Sequence, residues 1–125
     1  MYYDAIDLLK GMISRPSFSR EEGEVADFLE QNWKKAGYKV NRNGNNLWMV
    51  ARGFNINKPT LLLNSHIDTV KPVSGWTKDP FHPEETEEER LYGLGSNDAG
   101  ASVVSLYETF RVLSGKEHPY NLIFL

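Results

Sequence analysis

No cysteine occurs among the 125 residues, so disulfide scaffolds, thiolate metal sites and cysteine nucleophiles are excluded. Any metal must be held by His, Asp or Glu. No apolar run approaches the roughly 18 residues that a membrane helix needs. The first residues, Met1-Tyr2-Tyr3-Asp4-Ala5-Ile6-Asp7, are acidic where a secretory leader is basic, which gives a cytoplasmic expectation. Clustered Lys and Arg are also lacking. With a formal net charge of −3 and a pI near 5.6, neither nucleic acid nor an anionic membrane surface is expected as a partner. Five of the 17 acidic residues, Glu84, Glu85, Glu87, Glu88 and Glu89, fall in one short stretch; consecutive side chains diverge, so this run reads as a solvated turn. Small molecules or proteins remain as partners.

What is present is an ordinary globular composition, 40% hydrophobic and 25% charged, in a length that suits one domain or less. Ala5, Ile6, Leu8, Leu9, Met12 and Ile13 recur at helical spacing and predict a helix over about Asp4 to Ser14, stopped by Pro16. Ser19 and Glu22 have capping-box spacing ahead of a second stripe, Val25, Phe28, Leu29 and Trp33, which Lys34, Lys35 and Gly37 close. Two strand-like runs, Tyr38 to Arg42 and Asn46 to Ala51, flank Asn43-Gly44 and predict a hairpin. Leu61-Leu62-Leu63 is continuously apolar and is expected to be covered by helices on both faces. Residues 71 to 90, with Pro72, Pro80 and Pro83, read as an exposed excursion whose Gly75 to Phe81 part packs on its own aromatics. A third helix follows from Ala101 to Leu113, ended near Gly115, and then the apolar Leu122 to Leu125. Strand, excursion, helix and strand make a βαβ-like pattern, so the class is α/β. Because the last residues read as a buried central strand, residues 1 to 125 are expected to be part of a larger domain with an incomplete core.

Two segments carry residues with chemistry. After the Leu61 to Leu63 run comes Ser65-His66-Ile67-Asp68-Thr69-Val70, with His66 and Asp68 two apart and on one side of an extended backbone. At the C-terminal end of an α/β strand such a histidine can bind a metal while the carboxylate orients an imidazole; on the tripeptide alone, a loop histidine and a turn aspartate are the more ordinary reading. The second is Leu91-Tyr92-Gly93-Leu94-Gly95-Ser96-Asn97-Asp98-Ala99-Gly100, a glycine-rich turn that delivers Asp98 to the start of the third helix, either into the site reached by His66 or, like Asn97, as its cap. A dinucleotide-binding reading fails, because Asp98 stands where the third glycine belongs and charged residues precede the turn. His82 and His118, each beside a proline, read as loop residues.

Taken in order, Pro16 to Glu22, Ser65 to Val70, Trp76 with Asp79-Pro80-Phe81, and Leu91 to Asp98 resemble the start of the metallopeptidase family that contains acetylornithine deacetylase, succinyl-diaminopimelate desuccinylase and carboxypeptidase G. Within it, acetylornithine deacetylase of arginine biosynthesis is the nearest in pattern. The resemblance implies the N-terminal part of a two-metal exopeptidase-like catalytic domain, with a central mixed sheet flanked by helices. The smaller lid or dimerisation domain is absent from these residues, and the parent is expected to be a homodimer. By resemblance His66 binds one metal, Asp98 bridges two divalent ions, zinc or cobalt, and Asp68 orients the imidazole. The bond after the bridging aspartate, Asp98-Ala99, is expected to be cis.

The implied activity is metal-dependent removal of an N-acyl group from a small-molecule N-acyl amino acid. Desuccinylase, aminoacylase and dipeptidase are alternatives within the family, and a non-catalytic binding module is one outside it. The usual Gly-Arg-Gly and Asp-Met-Lys-Gly stand here as Gly93-Leu94-Gly95 and Asp98-Ala99-Gly100. The family's glutamate pair, which supplies the general base and a ligand, is expected beyond Leu125, so the 125-residue chain itself is expected to be inactive.

Overall fold

The computed structural model describes residues 2–125; Met1 lies outside the described residues. Helix α1 (Tyr2–Ile13) turns Leu8, Leu9, Met12 and Ile13 inward, as its spacing dictates. Helix α2 (Gly23–Lys35) buries Val25, Ala26, Leu29 and Trp33 and ends where Gly37 takes a positive φ of 93°. Strands β1 (Asn41–Asn43) and β2 (Asn46–Val50) form the expected hairpin. Its turn is Gly44-Asn45 rather than Asn43-Gly44: Asn43 pairs with Asn46, and it is Gly44 that takes φ 61°. Arg42 ties this hairpin to α2 through Asp27 at 2.6 Å and Glu30 at 2.8 Å.

Strand β3 (Thr60–Leu63), helix α3 (Ala101–Ser114) and strand β6 (Asn121–Phe124) form the βαβ unit, with β3 and β6 parallel. The sheet order is β1-β2-β6-β3, antiparallel up to β6 and parallel beyond it, so the class is α/β with a mixed sheet. Between β3 and α3, β4 (Glu84–Glu85) and β5 (Leu91–Tyr92) make a small separate ribbon. Part of the glutamate run is therefore paired backbone, and Glu84 and Glu85 meet Lys78 and Lys10.

The register settles which face of the sheet is covered. Met49 pairs with Phe124 and Phe124 with Leu63, and this row joins Leu47, Leu122 and the buried stripes of all three helices in one core. Val50, Ile123 and Leu62 form the adjacent row, and paired residues share a face. Val50 is 39% and Leu62 49% exposed. Among the described residues the helices thus cover one face only, and Leu61 to Leu63 are not covered on both as the run led one to expect. Among the described residues the strand lies at the sheet edge, and its neighbour β6, with Asn121, Leu122 and Phe124 buried, is an interior strand.

Aromatic rings fill the middle of the core. Trp33 lies 5.4 Å from both Tyr107 and Phe124, and Tyr38 packs on Phe110 at 5.7 Å. Phe81 of the excursion packs edge-on against Phe18 at 6.0 Å, so that loop is anchored on the segment after α1 and not on its own rings. Burial raises the pKa of Tyr107 to about 12. Below pH 10 the phenol is neutral whether the chain is folded or unfolded. Between pH 10 and 12 the unfolded chain ionises first and stability is lost. Tyr107→Phe should remove that component, on the order of 2 kcal/mol across the window, which urea denaturation of the two proteins at pH 9 and pH 11.5 would measure.

Candidate active site

The parallel pairing of β3 with β6 runs on past both strands: Leu125 N–H donates to the Leu63 carbonyl and Ser65 N–H to that of Leu125. Residues 66 to 69 then leave the sheet, held by the segment after α1. Buried Ser17 donates its hydroxyl to the Ile67 carbonyl at 2.8 Å, Thr69 N–H donates to the Ser17 carbonyl at 2.7 Å, and Ser19 N–H donates to that of Thr69. His66 and Asp68 therefore project from a strapped segment rather than a free loop.

Asp98 arrives from the other side. Its turn is built by Ser96 N–H on the Gly93 carbonyl and Gly100 N–H on that of Gly95, with Gly95 at φ 78°. A Cβ on Gly100 would lie 2.6 Å from both the Gly95 carbonyl oxygen and Leu9 Cδ1, so only glycine lets the turn dock on α1. The Asp98-Ala99 peptide is cis, as the resemblance implied. Asp98 makes no capping bond to α3, which leaves its side chain 90% exposed and directed at His66.

The structure brings all three candidate residues together. His66 Nε2 lies 3.1 Å from Asp98 Oδ1, and His66 Nδ1 lies 3.2 Å from Asp68 Oδ1 and 3.1 Å from the Asp68 carbonyl. A neutral imidazole has one N–H, which the two Asp68 acceptors hold at Nδ1. The Nε2 lone pair then faces a carboxylate oxygen, an arrangement that a positive species between them, a proton or a cation, makes favourable. Two ligands each about 2.0–2.1 Å from one dication stand roughly 3 Å apart, so the observed separation and the borderline donor set suit a metal. Among the described residues no group of three or more His, Cys, Asp or Glu converges as a cation cage; His66 and Asp98 supply two donors.

Ser19 is the contributor that the capping-box reading missed. Its hydroxyl donates to Asp68 Oδ2 at 2.9 Å, while α2 begins at Gly23 with no side-chain cap. Glu22 instead accepts from Arg20 N–H and Asn45 Nδ2, which lower its pKa, the Arg20 bond foremost, and it steadies the φ 74° turn at Arg20 that presents Ser19. The polar sequence of the site is thus Ser19, Asp68, His66, Asp98. A cleft of about 400 Å³ opens beside it, lined by Glu22, Asn64 and His66 and by apolar Trp33, Leu47 and Phe124. His82 and His118 take no part; His118 stacks on Tyr120 and bonds the Leu113 carbonyl at the end of α3.

Residues 62–125, which include both approaching segments, match the profile of Peptidase family M20/M25/M40. The chain belongs to this family. Succinyl-diaminopimelate desuccinylase of Xylella fastidiosa is 32% identical over 98% of this M20 chain and 33% of its own length. That of Bordetella avium is 31% identical over 96% of the chain and 33% of its own. The chain thus spans about a third of the length of these relatives. Among solved structures, an M20 family metallo-carboxypeptidase from Sulfolobus solfataricus superposes with a TM-score of 0.71 at 25% identity, over 96% of this chain and 29% of that one. Human carnosine dipeptidase 1 shares the fold, with a TM-score of 0.64 at 21% identity over 97% of this chain and 31% of that one. Among the described residues no helix is long and apolar enough to cross a membrane.

Gly100→Ala should shift the turn and misplace Asp98, at a cost of about 1–3 kcal/mol in stability for the overpacking. Urea denaturation of the 125-residue chain checks the expectation; an unchanged midpoint would show that the turn relaxes freely.

Proposed function

We propose that this chain is the first part of the catalytic domain of a metal-dependent amidohydrolase that removes an N-acyl group from an amino acid. The observation that carries the reading is the imidazole of His66, with Asp68 fixing Nδ1 and Asp98 facing Nε2. Bound at this site, two divalent cations, zinc or cobalt, would lower the pKa of a water and polarise the amide carbonyl it attacks. His66 offers its Nε2 lone pair as one ligand. Asp98 offers a carboxylate whose exposed oxygens can serve two cations and offset their charge, which an amide side chain could not. Asp68, itself steadied by Ser19, holds the imidazole in the tautomer that leaves Nε2 free. The remaining ligands and the general base are assigned to sequence beyond Leu125, together with a smaller domain that serves dimerisation, in a cytoplasmic parent.

For the acyl group, the names of the relatives favour succinyl over the acetyl group to which the sequence pattern first pointed. An acidic N-acyl substituent is therefore the first substrate to try, with N-acetyl amino acids and dipeptides as the alternatives.

The test uses the longest natural form of the protein, loaded with zinc or cobalt and assayed on N-succinyl and N-acetyl amino acids. His66→Ala and Asp98→Ala should each lower kcat/KM by at least about 100-fold through loss of a cation ligand, and Asp68→Asn by roughly 10- to 100-fold. Hydrolysis unchanged in the His66 and Asp98 variants would overturn the assignment. A loaded parent inert towards every amide offered would favour a non-catalytic binding module.

A further inference from the structure

The segments that carry His66 and Asp98 meet through a second polar contact that lies outside the proposed ligand set. Ser65, immediately before His66, and Ser102, in the first turn of α3, have their hydroxyl oxygens 2.5 Å apart. Ser102 Oγ also lies 3.1 Å from the carbonyl of Ala99, the residue that directly follows Asp98 in the chain. A serine hydroxyl has a single proton. Ser102 gives its proton to Ala99, a local bond ordinary for serine in a first helical turn, so the proton between the two hydroxyls comes from Ser65. With that bond made, the relay runs from Ser65 to Ser102 to the Ala99 carbonyl.

Ser65 is itself set by its N–H on the Leu125 carbonyl, so one end of this relay is anchored in the sheet and the other on the turn that presents Asp98. The Ser65–Ser102 contact spans 37 residues of sequence, and no local backbone preference would create it. Both hydroxyls lie at the surface, where burial does not explain them. The loops they join are the two that must stand in register if Nε2 of His66 and Oδ1 of Asp98 are to share one cation.

We propose that Ser65 and Ser102 are positioning residues whose hydroxyl relay sets the separation of His66 and Asp98 and thereby the affinity of the site for a divalent cation. The inference rests on the metal-site reading above. Ligand placement within about 0.5 Å is what a pre-organised site requires, and a relay from the residue before one ligand to the residue after the other acts on that distance.

The experiment compares the longest natural form of the protein with its Ser65→Ala, Ser102→Ala, double-alanine and Ser102→Thr variants. Zinc and cobalt dissociation constants come from chelator competition, the visible cobalt spectrum reports ligand geometry, and the melting temperature of the metal-free protein reports the fold. Each alanine variant should bind roughly 10-fold more weakly with altered cobalt bands and an unchanged metal-free melting temperature. The double variant should be no weaker than the weaker single one, because the relay acts as a unit, and Ser102→Thr, which keeps the hydroxyl, should retain the parent affinity. If the parent binds metal and the alanine variants match it, the relay is overturned and the metal site stands. A melting temperature that falls in step with affinity also overturns it, as a merely structural role. A parent that holds neither metal overturns both.

Discussion

The parallel pairing of β3 with β6 is the constraint from which the site hangs. Four residues of β3 align with four of β6, Thr60 with Asn121 through Leu63 with Phe124, and the bonds of Leu125 and Ser65 continue the ladder to the residue before His66. Buried Asn121 secures the other end. Its side chain accepts from Asn55 N–H and donates to the carbonyls of Asn55 and Lys58, which binds the loop before β3 to the start of β6. Buried amides that satisfy their bonds in this way fix a register more firmly than apolar contacts do. A slip of one residue would turn Leu63 out of the core and move His66 away from Asp98.

Around that ladder the chain divides its labour between packing and chemistry. The helices and the aromatic cluster of Trp33, Tyr107, Phe110 and Phe124 supply the apolar burial, all on one face of the sheet. The site sits beyond the end of the strands, where the backbone is irregular and held by short bonds from Ser17, Ser19 and Thr69. Open α/β sheets place ligands in this position because loops there are free to present side chains without disturbing the core. A histidine between two carboxylates contributes little to stability at such an exposed position, and a fold selected only for stability has no use for it.

Much of this was legible from residue order. The helices were readable because their stripes keep a 3.6-residue period and because Pro16 and Gly115 punctuate them. His66, Asp68 and Asp98 were readable as candidates from motif order, while their mutual distances needed the fold. Other features escaped for physical reasons. Ser19 has the residue type and spacing of a cap, and nothing local says that its hydroxyl will prefer a carboxylate 49 residues away. Leu61 to Leu63 has the composition of a doubly covered strand, yet coverage depends on what else the chain contains, not on the strand. Asn43-Gly44 and Gly44-Asn45 are both good turns, and only the strand register, with Asn43 opposite Asn46, distinguishes them.

The edge position of β3 has a bearing on how the molecule is made. Among the described residues, β3 pairs only with β6, which lies some sixty residues later in the chain. At ribosomal speeds of about 5–20 residues per second, β3 emerges roughly 3 to 12 seconds before its partner exists. Through that interval Thr60 to Leu63 is an unpaired, uncharged segment in a nascent chain. The intervening residues, with three prolines and five glutamates between Lys71 and Arg90, suit a stretch that must stay open and hydrated until the second strand arrives.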